Sequence, residues 1–408
     1  MIEREIAPHL LRLFGQYPFV TVTGPRQSGK TTLCRGLFGH LGYANLEEPR
    51  TRRFAEADPL GFLAQFPGGA VLDEIHRAPD LLSYLQVLGD EAGRPGLFVL
   101  TGSEQFGLTG AVSQSLAGRT ALLRLLPFTL AERRSAGAAD TIEEVLYSGC
   151  YPRIHDRRLN PTEALGDYWE TYVERDVRRI GAIRNLASFR EFATLCAGRV
   201  GQLLNETSLG ADAGVSRPTV SEWLAVLEAS DILLRLRPYH TNLRKRLTRS
   251  PKLYFHDVGL ASYLLGIADQ RHLIGHPLRG ALFENAAVTE AVKHAYNRAR
   301  RPRLSFFRDR SGFECDLLYE TPAGLAAIEI KSGRTIASDW FSAPRRLAGI
   351  LPQVTAQAVV HGGAERQART TATAVPLSEF AGFLSDLDTP QAPPDDTGPE
   401  PTRPTPGA

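Results

Sequence analysis

The first third of the chain alternates short apolar runs with segments of helical period. Pro18-Phe19-Val20-Thr21-Val22-Thr23 is β-branched and mostly apolar, the pattern of a strand buried on both faces. Tyr43–Leu46, the stretch from Gly68 to Asp73, and Leu97–Leu100 repeat that pattern, and Ala121–Leu125 adds a further apolar stretch. Thr31–Leu37 and parts of Phe54–Phe66 carry the helical spacing between them. Strands alternating with helices predict an open α/β sheet that binds its ligand at the strand ends.

Further on the pattern changes twice. Residues from about Ser135 to Leu195 read as mostly helical. Within them Tyr168, Trp169, Tyr172, Val173 and Val177 fall at helical spacing and are expected in the core, in preference to a base-stacking surface. A short helix around Ser208–Ala213, a turn at Gly214-Val215, and a second helix capped by Ser216 with Pro218 in its first turn follow. Val220, Trp223, Leu224, Val226 and Leu227 line the second helix's apolar face. Ile232–Arg237 and Lys252–Phe255 then read as paired strands, completing a winged helix-turn-helix pattern. From about Gly275 an amphipathic helix runs through Ala299, followed by strands at Leu304–Arg308, Phe313–Tyr319 and Leu325–Lys331. Seven prolines in the last twenty residues predict a disordered tail after about Asp386.

Composition narrows the picture only modestly. The 408 residues are 43% hydrophobic and 23% charged, as in soluble globular proteins. A net charge of +2 leaves any nucleic-acid affinity to local patches. Cys34, Cys150, Cys196 and Cys315 are far apart and suggest neither a zinc ribbon nor a disulfide framework, so a cytoplasmic setting is expected. The first residues lack a signal-peptide profile, and no apolar run approaches the ~20 residues of a membrane span.

The strongest chemical signal is Gly24-Pro25-Arg26-Gln27-Ser28-Gly29-Lys30-Thr31-Thr32, which fits G-x-x-x-x-G-K-[ST] between a strand and a helix. The glycines let successive N–H groups turn toward a triphosphate, Lys30 reaches the β- and γ-phosphates, and the Thr31 hydroxyl ligates Mg²⁺. ATP and Mg²⁺ are therefore the expected ligands. An apolar strand ending in Asp73-Glu74 supplies a second Mg²⁺ ligand, Asp73, and a general base, Glu74. Ser103, and after it Thr101, either senses the γ-phosphate at the tip of the next strand or serves its own turn. Arg119 either completes the γ-phosphate site, in cis or across a subunit contact, or caps a helix. Arg153 and Arg175 are weaker lid candidates, with exposed or ion-paired surface positions the expectation. Seven Lys/Arg and no acid lie from Arg235 to Lys252, which suits phosphate contact, with Arg217, Thr219 and Ser221 facing the groove if DNA is bound. Winged helices also serve as protein-docking elements, and that alternative stays open.

GPRQSGKTT, VLDEIHRAPDLL, LTGSEQF and SLAGRTALLRLLPFTLAE resemble the AAA-type ATPases of bacteria and archaea that carry a DUF4143 C-terminal region. The resemblance continues in SGCYPR, YVERDV, LFENAAVTE and CDLLYE…AIEIKSG and spans nearly the whole chain short of the tail. It implies a nucleotide-dependent protein and a restriction-endonuclease-like α/β fold for the C-terminal part. There Asp316, followed by Glu329 and Lys331 on the next strand, matches the PD-(D/E)XK constellation without its proline. Asp316 and Glu329 would converge on Mg²⁺, Lys331 would orient water, and Glu284 would add a ligand from the preceding helix. Such acids also occur on ordinary strand edges. The expected organisation is a P-loop AAA-type domain over 1–134, a helical lid over 135–196, a winged helix over 197–265, a nuclease-like domain over 275–385, and a tail over 386–408. The function expected first is nucleotide-controlled ATP hydrolysis acting on the C-terminal region. The alternatives are an ATP-gated DNA endonuclease and a nucleotide switch that recruits a protein partner. No membrane contact is expected, and oligomerisation is compatible with the pattern.

Overall fold

The computed structural model describes residues 2–102, 110, 112, 115–138, 141–173, 177–178, 183, 185–239 and 250–389. Ser103, Arg175, the basic stretch 240–249 and the Pro-rich tail from residue 390 lie outside the described residues.

The first sheet holds β1 (Phe19–Thr23), β2 (Gly42–Asn45), β3 (Ala70–Asp73), β4 (Phe98–Thr101) and β5 (Thr120–Arg124). Their order is β2-β3-β4-β1-β5, and every pairing is parallel. Alternate residues of these strands feed opposite layers, as the two-residue period of a strand requires. Val20, Val22, Val71 and Val99 pack with Ile6, Leu10 and Leu33, while Phe19, Leu72, Phe98 and Leu100 pack with Leu82 and Leu85. The strand runs expected at Pro18–Thr23, Tyr43–Leu46 and Leu97–Leu100 each form, with ends shifted by a residue or two.

The middle of the chain is helical: Ile142–Ser148, Pro152–Arg157, Pro161–Tyr172, Leu186–Ala197, Glu206–Asp212 and Arg217–Ala229. β6 (Leu233–Leu236) and β7 (Lys252–Phe255) then pair antiparallel. Ser216 caps Arg217–Ala229 by accepting from the Thr219 N–H at 3.3 Å. Val220, Trp223, Leu224, Val226 and Leu227 are buried.

The C-terminal sheet holds β8 (Leu304–Arg308), β9 (Glu314–Thr321), β10 (Gly324–Lys331), β11 (Val354–His361), β12 (Gln367–Ala368) and β13 (Thr373–Pro376), in the order β12-β13-β11-β10-β9-β8. β8, β9 and β10 form an antiparallel meander, and β10, β11 and β13 run parallel. The long helix Arg279–Asn297 packs against this sheet. One apolar core continues from Tyr168 and Trp169 through Trp223 and Leu253 to Phe283, Ile328 and Val360. The middle and C-terminal parts therefore share a core. The final helix runs Phe380–Asp388, just past the expected start of the tail.

β7 is pinned to the long helix by one side chain. The fully buried Asn285 amide accepts the Phe255 N–H at 2.7 Å and donates to the Phe255 carbonyl at 2.9 Å. Asn285→Ala strands both backbone groups, and each buried orphan costs about 1–3 kcal/mol. The variant should therefore lose about 2–6 kcal/mol, read as a lowered urea midpoint for the C-terminal part.

Candidate functional site

The loop after β1 has the backbone its glycines allow. Gly24 has φ 141° and Gly29 φ 93°, both in regions L side chains rarely adopt. A Cβ on Gly24 would also lie 2.1 Å from the Leu125 carbonyl oxygen. Lys30 opens the helix Lys30–Leu37, is almost fully buried, and donates to the Gly24 and Pro25 carbonyls at 2.9 and 2.8 Å. Burial lowers its pKa to about 8, reinforced by Arg26 and opposed by Glu74 and Asp73. The Ser28 hydroxyl is buried without a partner. An ammonium held only by loop carbonyls beside an orphaned hydroxyl suits an incoming anion.

Asp73, at the end of β3, is the meeting point of three hydroxyls. Thr31 Oγ1 donates to it with both carboxylate oxygens at 3.0 Å, and Tyr43 donates to Oδ2 at 3.0 Å. Thr101, on the intervening β4, donates to Oδ1. The expectation that Thr31 and Asp73 share a metal thus has both groups together, and their oxygens fit a hard cation. Thr101 was the second choice for a phosphate sensor, yet it is fully buried and holds Asp73 instead.

Glu74 takes a left-handed backbone, φ 58°, which turns its side chain toward the loop and away from β3. His76 Nδ1 lies 3.1 Å from its Oε2. Burial raises the Glu74 pKa, but the His76 contact and the Lys30 and Arg26 charges outweigh it and hold the carboxyl at about 2.

Lys30, Thr31 and Glu74 line a cavity of about 500 Å³ whose opposite wall comes from the middle helices. From the middle helices Arg153, Asp156, Arg157, Tyr168 and Tyr172 line it, together with Phe128. Arg153 is exposed, as expected, and lies at this cavity as well. Tyr168 and Tyr172 are core residues, as expected, and line the cavity too.

Arg119 corrects another expectation. Its carbonyl accepts the Phe19 N–H at 3.1 Å, so it sits at the start of β5, at the end of the sheet away from the loop. It pairs with Asp90 at 2.5 Å and cannot complete the γ-phosphate site within its own chain.

Arg4 was not singled out from sequence. It is 5% exposed and donates to the Ser28 carbonyl at 2.8 Å and the Leu126 carbonyl at 2.7 Å. Its Nε lies 3.0 Å from Glu132, and its guanidinium sits over the Phe128 ring. From the other side, Lys293 of the long helix donates to the Phe128 carbonyl at 2.7 Å, and Glu290 accepts the Leu130 N–H at 3.1 Å.

The acids of the second expected site lie near one another, but among the described residues no three of them are arranged to hold a metal ion. Asp316 accepts the Ile330 N–H at 2.9 Å, and Lys331 donates to Glu329 Oε1 at 2.6 Å. Burial and then Asp316 raise the Glu329 pKa to about 7, and burial also raises Glu284 and Asp316. Lys252 of β7, read from sequence as part of a basic wing, enters this cluster and pairs with Glu284 at 2.8 Å. Burial alone would lower its pKa, but Glu284, Asp316 and Glu314 outweigh that and push it up.

Residues 16–133 match the model of an AAA domain, 139–271 a domain of unknown function (DUF8612), and 279–380 a second (DUF4143). The uncharacterized protein Rv2008c of Mycobacterium tuberculosis is 34% identical over 392 residues, covering 94% of this chain and 86% of that one. The uncharacterized protein Mb2031c of Mycobacterium bovis matches to the same extent. An uncharacterized protein of Haemophilus influenzae is 23% identical over 332 residues, 73% of this chain and 80% of its own length. Among solved structures, the Walker-type ATPase PABY2304 of Pyrococcus abyssi superposes with a TM-score of 0.42 at 14% identity, covering 65% of this chain and 96% of that one. No helix among the described residues is long and apolar enough to cross a membrane. With an ATPase-like AAA domain ahead of its DUF8612 and DUF4143 domains, and a third of its residues shared with the mycobacterial proteins over nearly its full length, the chain belongs to their family.

Proposed function

We propose that this chain binds ATP with Mg²⁺ between the first sheet and the middle helices, hydrolyses it, and passes its nucleotide state to the C-terminal part. The cavity shared by Lys30, Thr31 and Glu74 with Arg153, Tyr168 and Tyr172 carries this reading, because a triphosphate seated there touches both parts at once.

Lys30 and the loop N–H groups bind the β- and γ-phosphates. Thr31 and Asp73 would hold Mg²⁺, which supplies charge neutralisation on the phosphate oxygens. Thr101 and Tyr43 fix the Asp73 carboxylate. Glu74, ionised at any physiological pH, accepts a hydrogen bond from the attacking water and orients it. A carboxylate held at about 2 is a weak proton acceptor, so moving His76 away from Glu74 would raise its basicity and couple loop movement to turnover. Arg153 supplies a cation from the middle helices toward the phosphates.

A specific observation favours recruitment of a protein over DNA by the winged-helix part. Arg235 pairs with Glu228 and Lys252 is buried in the acidic cluster, which removes two cations from the face expected to meet phosphate. Salt-dependent fluorescence anisotropy on duplex DNA, with and without ATP, should show no steep salt slope; a slope of several units would instead assign the face to DNA.

Lys30→Ala should weaken ATP binding by at least about a hundredfold in calorimetry, and retained affinity would overturn the nucleotide assignment. Glu74→Gln should keep ATP binding and lower kcat by about 10²–10⁴. The Lys30 pKa of about 8 adds a pH signature. Below it the ammonium is already charged in the free protein. Above it Lys30 is neutral and must take up a proton as the triphosphate arrives, so affinity should fall as pH rises past about 8. Titrations in two buffers of different ionisation heat should show proton uptake at about pH 8.5 and little at about pH 7.

A further inference from the structure

The acidic cluster at β9 and β10 is expected to hold a metal ion, and the positions of its oxygens speak against that. A shared ion needs free oxygens of Glu284, Asp316 and Glu329 turned to one point. Among the described residues, no group of three His, Cys, Asp or Glu is arranged to hold one. An ammonium stands among them instead. Lys252 Nζ lies 2.5 Å from Glu314 Oε1, 2.8 Å from Glu284 Oε1 and 3.8 Å from Asp316 Oδ1. Its side chain is 4% exposed, and the Phe306 ring lies 5.6 Å beneath it. Tyr254, two residues along β7 and on the same face, donates to the same Glu284 oxygen at 2.5 Å. Asp316 Oδ2 is taken by the Ile330 N–H and Glu329 Oε1 by Lys331.

We propose that Lys252 is the resident cation of this cluster. Its ammonium stands where a divalent ion would have to bind, and the carboxylates serve to anchor β7 to the C-terminal sheet without a metal. Each acid has a cation of the chain within 4 Å: Glu284, Glu314 and Asp316 have Lys252, Glu314 also has Arg308, and Glu329 has Lys331. A divalent ion entering beside a buried ammonium would meet like charge that water does not screen. The position also explains why a strand from the middle of the chain is fixed so firmly to a later domain, with Asn285 holding its backbone and Lys252 its side chain. The inference does not depend on the ATP site, whose failure would show in Lys30→Ala alone.

The test is Mn²⁺ binding to the full-length, nucleotide-free chain, followed by the EPR signal of free Mn²⁺. Wild type and Asp316→Asn should take up the same amount of ion. Lys252→Met should gain one site, lost again in the Lys252→Met/Asp316→Asn double variant and binding at least about tenfold more tightly than anything Asp316-dependent in wild type. Lys252→Arg should keep the ion out. An ion held by wild type and released by Asp316→Asn would overturn the proposal, as would a folded Lys252→Met with no gain. Should Lys252→Met not fold, Lys252→Gln takes its place, and the comparison of wild type with Asp316→Asn decides on its own.

Discussion

A buried guanidinium near the start of the chain sets the geometry on which the nucleotide site rests. Arg4 binds the carbonyl of Ser28 inside the phosphate loop, the carbonyl of Leu126 after β5, and the Glu132 carboxylate. A charge so far from water is tolerated only when it is paired, so these three points are held close to one another. Glu132 is itself committed: it accepts the Glu5 N–H and caps the turn at Thr129. The segment 126–132 is thus gripped by Arg4 on one side and by Glu290 and Lys293 of the long helix on the other. Ser28 of the loop is thereby tied to this segment through a single side chain.

The order of the first sheet sets the chemistry at Asp73. β4 lies between β1 and β3, so Thr101 reaches the carboxylate that Thr31 approaches from the loop. Asp73 is held by hydroxyls while Glu74 has an imidazole nitrogen 3.1 Å away, so these adjacent acids have different partners. The acidic cluster at β9 and β10 differs in kind. Its carboxylates are met by an ammonium from another part of the chain, and its role follows from that cation more than from the acids.

Local signals were legible in the sequence and long-range ones were not. The phosphate loop, β1 to β4, the Ser216 cap and the apolar face of Arg217–Ala229 depend on neighbours within a few residues, and each was readable. For Arg119 only the register Phe19↔Thr120 reveals that it occupies the end of the sheet away from the loop, which the local signal of Gly118 could not give. Tyr168 and Tyr172 have the spacing of core residues and are core residues; that they also wall a cavity depends on which surface packs opposite. Lys252 looked like one more cation in a basic run because its partners lie 32 or more positions away. β11, β12 and β13, absent from the sequence reading, lie beyond the motif that drew attention to this part of the chain.

The long helix Arg279–Asn297 spans 19 residues, about 28 Å, and answers to neighbours at both ends. Glu284 near its start meets Lys252 and Tyr254, while Glu290 and Lys293 meet the segment beside the nucleotide loop and Asn297 binds Glu5. Such a helix is a poor seam for recombination. A gene fusion that moved residues 279–380 onto a different AAA domain would carry away the partners of Leu130, Phe128, Lys252 and Glu5 and leave buried charges on both products. The three stretches matched by separate family models are therefore physically interlocked, and a substitution on one side of the helix is felt by partners on the other.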